Sequence, residues 1–250
     1  MAVASAKGGV GKSTVSANLA LALARMGHRV GLMDADIYGP SLPRMMGATG
    51  EPELTPEGRL LPIVKHDVPI MSMGFLTDQD TPVVWRGPLL AQAVQQFLRQ
   101  VDWGDLDYLI IDLPPGTGDI PLTLSQAIAL SGALVVTTPQ SVALEDVERG
   151  ISMFEKVDVD VLGIVENMSY YVCPHCDKRH QIFGSGGARA IAERLGIDLL
   201  GEIPLDSGIR KGGDEGHPVA LDVESDGGQL FGGIASRLQQ SVAEATSAYQ

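Results

Sequence analysis

Short apolar runs alternate with helical patterns along most of the chain. Met1–Ser5 reads as a strand, a glycine-rich loop follows, and Ser13–Met26 has helical periodicity. That helix is apolar on several faces, at Val15, Leu19, Ala20, Leu21 and Leu23, so it is expected between the sheet and its neighbours. Arg29–Met33 reads as a second strand, ending at Asp34-Ala35-Asp36. Residues 40–82 are rich in Pro and Gly and predict loops with two short strands, Leu60–Val64 and Pro69–Met73. Leu89–Val101 is helical, Tyr108–Leu113 is an apolar strand, Ile120–Leu130 is helical and Ala133–Thr138 is a buried strand. A helix over Val142–Val157, a strand over Val161–Val165 and a cysteine-bearing loop over 169–184 follow. Ala188–Leu195 reads as a helix, Leu199–Ile203 as a strand and Gln229–Ala248 as the last helix.

Strand–helix alternation of this kind predicts an α/β fold of three layers, a mostly parallel sheet with helices on both faces. Ligands in such sheets sit beyond the carboxyl ends of the strands. With 250 residues, 44% of them hydrophobic, no evident repeat and no long linker, residues 1–250 are expected to form a single domain. The formal net charge of −13 speaks against nucleic acid and anionic membranes as partners, because no basic run offsets it. No apolar stretch reaches about 18 residues and no signal peptide is visible, so the expected setting is cytoplasmic, with no membrane partner.

Ala6-Lys7-Gly8-Gly9-Val10-Gly11-Lys12-Ser13-Thr14 lies between a strand and a helix. Phosphate oxygens need several N–H donors converging on one point. Glycines let the backbone curl close enough to supply them, and the helix N-terminus adds partial positive charge. Lys12 is suited to the β- and γ-phosphates, Ser13 to Mg²⁺ and Thr14 to the α-phosphate region. ATP is the expected nucleotide. Asp36 and Asp112 each stand at a strand end. Mg²⁺ keeps most of its waters and needs only one or two carboxylates, a role that fits Asp112. Asp36 is placed to orient an attacking water, since phosphoryl transfer rests on positioning and electrostatics. Beyond Asp112, Pro114-Pro115-Gly116 is a candidate switch: Gly116 can swing its N–H toward a γ-phosphate and release it after hydrolysis.

The only cysteines, Cys173 and Cys176, flank Pro174-His175, with Tyr170, Tyr171 and His180 nearby. A disulfide framework is not expected in a chain of this size. Structural zinc wants four ligands, which Cys173, Cys176, His175 and His180 could supply. A [4Fe–4S] cluster needs about four thiolates, which a twofold homodimer of this chain would provide.

The loop departs from the strict phosphate-loop pattern at Ala6 and adds Lys7. In this it resembles the deviant loop of the MinD, ParA and nitrogenase iron protein group, the SIMIBI-type P-loop NTPases. That resemblance implies that Lys7 reaches the partner's nucleotide across a homodimer. Five segments together resemble the Mrp/NBP35 (ApbC-like) group. They are Lys7–Thr14, Asp34-Ala35-Asp36-Ile37-Tyr38-Gly39-Pro40-Ser41, Trp85-Arg86-Gly87-Pro88, Asp112-Leu113-Pro114-Pro115-Gly116-Thr117-Gly118-Asp119 and Glu166-Asn167-Met168-Ser169. The Cys173–Cys176 pair sits where that group carries its cluster ligands. The resemblance implies Mg-dependent ATP hydrolysis, adenine contact by Asn167, a [4Fe–4S] cluster bridging a homodimer, and delivery of it to apo iron–sulfur proteins. Turnover is expected to be slow, since the chain offers no obvious arginine finger beyond the implied role of Lys7. Three rivals compete with this reading: a MinD- or ParA-like spatial-organising ATPase, an electron-transferring reductase resembling the nitrogenase iron protein, whose cluster cysteines lie far apart in sequence whereas this pair is adjacent, and an ATPase with a structural zinc. A MinD-like membrane ATPase should end in a basic amphipathic helix, whereas Gln229–Gln250 has Arg237 as its one cation and also carries Glu244. A ParA-like protein should show a basic face. An ATPase with a structural zinc would use the metal only to fix a loop.

Overall fold

The computed structural model describes residues 1–76, 87–117, 122, 123, 125, 126 and 129–248. Among the described residues ten strands are formed: β1 (Ala2–Ala4), β2 (Val30–Asp34), β3 (Ile63–Lys65), β4 (Val68–Ser72), β5 (Tyr108–Asp112), β6 (Ala133–Thr137), β7 (Val161–Glu166), β8 (Tyr171–Val172), β9 (Arg179–His180) and β10 (Leu199–Glu202). The helices are α1 (Lys12–Arg25), α2 (Leu42–Met45), α3 (Gly87–Gln100), α4 (Ser141–Glu155), α5 (Gly187–Leu195), α6 (Ser207–Glu215) and α7 (Asp226–Ala248). Short 3₁₀ turns occupy Met73–Phe75 and Val219–Leu221.

Eight strands form one sheet in the order β10-β7-β6-β1-β5-β2-β4-β3, while β8 and β9 pair separately. All neighbours in the large sheet run parallel except β3, which is antiparallel to β4. The three-layer α/β reading is therefore met. β1, β2 and β6 are buried along their whole length, as continuous apolar runs covered by helices require. α1 packs on the sheet, on α7 and on the Val219–Leu221 turn, which explains its many-sided apolarity. Val15, Leu19, Leu21 and Leu23 are each at most 1% exposed. α4 and α5 pack on each other and on the β6–β7–β10 part of the sheet.

β1 lies between β5 and β6, so the chain leaves it toward β2 on one side and returns to β6 on the other. This is the topological switch point of an open parallel sheet, where loops diverge and leave a crevice. Register aligns the carboxyl ends: Asp34 pairs with Asp112, and Val3 also pairs with Asp112. Two carboxylates are thus brought side by side below the loop that follows β1.

Most expected elements form with ends shifted by one or two residues. The Leu60–Val64 strand is displaced to Ile63–Lys65, because Leu60 instead bridges Leu54 and Val101. Three features were not anticipated. Proline at the first turn starts α2. α6 contains three glycines that hide its periodicity, and Asp206 caps it by accepting from the N–H groups of Gly208 and Ile209. The expected cysteine loop carries the β8–β9 hairpin. The Ile120–Leu130 helix falls in part on residues outside those described, with residues 122, 123, 125 and 126 helical; Trp85, Arg86, Gly118 and Asp119 also lie outside them.

Candidate functional site

A cleft of about 240 Å³ opens at the switch point, lined by Ser5, Lys7, Gly8, Gly9, Gly11, Lys12, Ser13, Thr14, Asp36, Ser41, Met45 and Pro115. The loop curls around it through two left-handed glycines, Gly9 at φ 80° and Gly11 at φ 86°. Gly11 is doubly constrained, because a Cβ there would lie 2.1 Å from Asn167 Nδ2. Asn167 uses that space to donate from Nδ2 to the Val10 carbonyl at 2.8 Å, and it is 7% exposed. The residue after β7 is therefore fastened to the phosphate loop itself. Ala6, the departure from the strict loop pattern, is half-buried beside it.

The floor is a network around Asp112, which is 0% exposed. Its Oδ2 accepts from Lys12 Nζ and from Ser13 Oγ, both at 2.6 Å. Its Oδ1 accepts from Ser16 Oγ, also at 2.6 Å. Lys12 is buried too and lies 3.9 Å from Asp36 Oδ2. Beneath them Asp34 accepts from the Asp36 N–H, the Leu42 N–H and Ser72 Oγ. Burial, reinforced by the Asp112 charge, pushes the Asp34 carboxyl up to about 8. Burial also raises Asp36, against the pull of the Lys12 cation. Asp34, Asp36 and Asp112 share a single close ammonium, so the site holds an excess of acidic groups at its floor. The adjacent Ser13 and Asp112 oxygens are hard donors of the kind a magnesium ion takes, and they fit that ion.

Lys7 does not point to Asp112. Its Nζ pairs with Asp146 Oδ2 on α4 at 2.8 Å, and Asp146 also accepts from Arg149. The Lys7 ammonium holds the Asp146 carboxyl below its usual range. Gly116, at φ 112°, donates its N–H to the Ser5 carbonyl at 2.8 Å.

Asn167 leads in six residues to Cys173. Glu166, 1% exposed, accepts from Ser169 Oγ at 2.6 Å and from the Ala188 N–H at the start of α5, which pins the base of the β8–β9 hairpin. The tip is a tight turn: the N–H groups of Cys176 and Asp177 both donate to the Cys173 carbonyl, and Asp177 takes φ 55°. Both thiols are free, Cys176 being exposed and Cys173 half-buried. The N–H of His175, helped by the Cys176 thiol and N–H, lowers the Cys173 pKa. The Sγ atoms of Cys173 and Cys176 and a ring nitrogen of His180 all lie within 4.8 Å of one another. His175 is not in that group.

Sequence reasoning brought Lys12, Ser13, Asp36 and Asp112 to one cleft, and the structure places them there together. Ser16 and Asp146 were missed, and Glu166 was named only as part of a family segment, with no role. Ser16 had a visible signal, a hydroxyl one turn beyond Lys12 on the same helix. Asp146 had none, and the segment holding Glu166 did not reveal its role, since both roles depend on which elements pack together. Among the described residues no helix is long and apolar enough to cross a membrane.

The comparisons agree with this geometry. The model of the ParA family described as NUBPL iron-transfer P-loop NTPase matches residues 1–239. An iron-sulfur cluster carrier protein of Synechocystis is 49% identical over 98% of this chain and 71% of its own length. The iron-sulfur cluster transfer protein NUBPL of Mus musculus is 50% identical over 94% of this chain and 75% of its own. A nucleotide-binding protein from Archaeoglobus fulgidus, solved in complex with ADP and with cobalt found in it, superposes with a TM-score of 0.79. It is 42% identical and covers 92% of this chain and 91% of its own. The chain belongs to the NUBPL-type iron-transfer P-loop NTPases of the ParA family.

Proposed function

We propose that this chain binds and hydrolyses Mg-ATP, carries a [4Fe–4S] cluster between the Cys173–Cys176 hairpins of a homodimer, and delivers the cluster to apo-proteins. The observation that carries this reading is the continuity of the two sites. Asn167 is bonded to the phosphate loop at Val10, and the cysteine hairpin begins a few residues later on the same segment.

In this reading the N–H groups from Gly8 to Thr14 receive the phosphates. Lys12 turns from Asp112 toward the β- and γ-phosphate oxygens. Ser13 and Asp112 would hold Mg²⁺, which neutralises charge on those oxygens. Asp36 orients the attacking water. The Gly116 N–H leaves Ser5 to meet the γ-phosphate and returns after hydrolysis. Lys7 leaves Asp146 and completes the partner's site. Asn167 contacts adenine from its place against the loop, so a shift of the loop is passed through it to the hairpin. Residues 1–250 act as one domain, since both sites hang from the same sheet. A bridging cluster held by paired exposed thiols, two from each chain, is accessible to a recipient protein.

The test is cluster delivery to an apo [4Fe–4S] enzyme whose activity reports arrival. Cys173→Ala abolishes delivery while ATP binding persists, and Lys12→Ala abolishes ATP turnover. Delivery by Cys173→Ala, or turnover by Lys12→Ala equal to that of the unmodified chain, would overturn the assignment.

A further inference from the structure

We propose that His180 is a third metal ligand of the cysteine hairpin, so that a single chain holds one thiophilic divalent cation of the zinc and ferrous-iron class, with its fourth position open. The inference rests on the hairpin being the metal end of this protein. It adds a mononuclear state that needs no second copy.

The register of the hairpin sets the arrangement. Tyr171 pairs with His180 and Val172 with Arg179. Alternation along a strand then puts Cys173, Tyr171 and His180 on one face, with Val172 and Arg179 on the other. The second face is fixed independently, because the Arg179 guanidinium stacks 4.3 Å from the Tyr170 ring centroid. His180 is left on the side of the thiols. The turn brings Cys176 back over Cys173, and the three ligand atoms fall within 4.8 Å of one another. In a tetrahedral site with metal–sulfur bonds near 2.3 Å and metal–nitrogen bonds near 2.0 Å, ligand atoms stand about 3.4–3.8 Å apart. Small side-chain rotations close that difference on an exposed hairpin.

The donor set decides the cation. Two thiolates and an imidazole select soft or borderline ions and leave Mg²⁺ to the oxygen ligands around Asp112. Three protein ligands also differ from a closed structural zinc site, which uses four. An open position suits exchange with an incoming thiolate. A bridging cluster is already satisfied by four thiolates, so His180 is surplus to it and its convergence on the sulfurs calls for a separate role.

Anaerobic titration of the full chain with Co²⁺ tests this by absorption, with sedimentation run on the same samples. The expected result is one Co²⁺ per monomeric chain, with tetrahedral d–d bands and charge transfer from two thiolates. His180→Ala weakens binding at least about tenfold, since even outer-shell partners of metal ligands are worth that much. His175→Ala titrates unchanged. His180→Cys restores binding and raises the charge-transfer intensity by about half, as a third thiolate requires. Equal titration of His180→Ala and the unmodified chain would overturn the proposal, as would one Co²⁺ per two chains with four thiolates. ATP binding by each variant verifies folding. Cluster reconstitution on the same variants keeps the two readings apart. If Cys173→Ala still forms the cluster, the carrier reading fails whatever the Co²⁺ result. If His180→Ala forms the cluster normally but loses Co²⁺, both stand.

Discussion

Replacing Gly11 by alanine probes the joint between the phosphate loop and the segment that leads to the cysteines. Two penalties are built into that position. The backbone sits at φ 86°, where a Cβ costs about 1–2 kcal/mol. The new methyl would also lie 2.1 Å from Asn167 Nδ2, so Asn167 must leave. Its buried bond to the Val10 carbonyl is then lost, at about 1–3 kcal/mol. Gly11→Ala should therefore destabilise the chain by about 2–5 kcal/mol. Gly9→Ala is the control, because φ is 80° but nothing lies within 4 Å of its Cβ position. It carries the conformational penalty alone, about 1–2 kcal/mol. Asn167→Ala in the Gly11→Ala background removes the obstacle, so the two changes should be non-additive by about 1–2 kcal/mol. Urea unfolding of the four variants and the parent gives these differences as midpoint shifts at constant slope. Equal losses for Gly9→Ala and Gly11→Ala, or strict additivity with Asn167→Ala, would refute the proposed contact.

The pH dependence of stability isolates Asp34. Its carboxyl is raised from 3.8 to about 8, so the folded chain keeps a proton that the unfolded chain has released. The stabilising contribution is complete below about pH 4 and is lost as pH rises toward 8. Asp34→Asn should flatten the fall in stability over that window, measured by thermal unfolding at a series of pH values; an unchanged slope would show that Asp34 is ionised throughout. Asp146→Asn should release Lys7 and, if Lys7 serves the partner's nucleotide, raise ATP-dependent self-association a few-fold while leaving the ATP dissociation constant of the monomer unchanged. Sedimentation with and without ATP distinguishes these, and weaker association would place Asp146 on the productive side of the contact.

The sheet was legible because its strands are short apolar runs ending at chemistry-bearing residues. Ala133–Thr137, buried on both faces, can be nothing but an interior strand. The phosphate loop was legible for a similar reason, since its function is carried by local backbone geometry between β1 and α1. What the sequence hid is long-range. Ser16 acquires meaning only when β5 brings Asp112 alongside α1, and Asp146 only when α4 packs near the loop. α6 was hidden by Gly208, Gly212 and Gly213, and it buries little besides Ile209. The role of His180 was half visible. It was among the possible zinc ligands by proximity in sequence, but only the hairpin register separates it from His175.

Iron and acid-labile sulfide per chain, measured together with molecular mass after anaerobic reconstitution, address the central reading most directly. A carrier of the proposed kind yields about four iron and four sulfide per two chains, on a species of twice the monomer mass, and none on Cys173→Ala or Cys176→Ala. Failure of reconstitution to give any sulfide-bearing species, or a full cluster on a monomer, would contradict it.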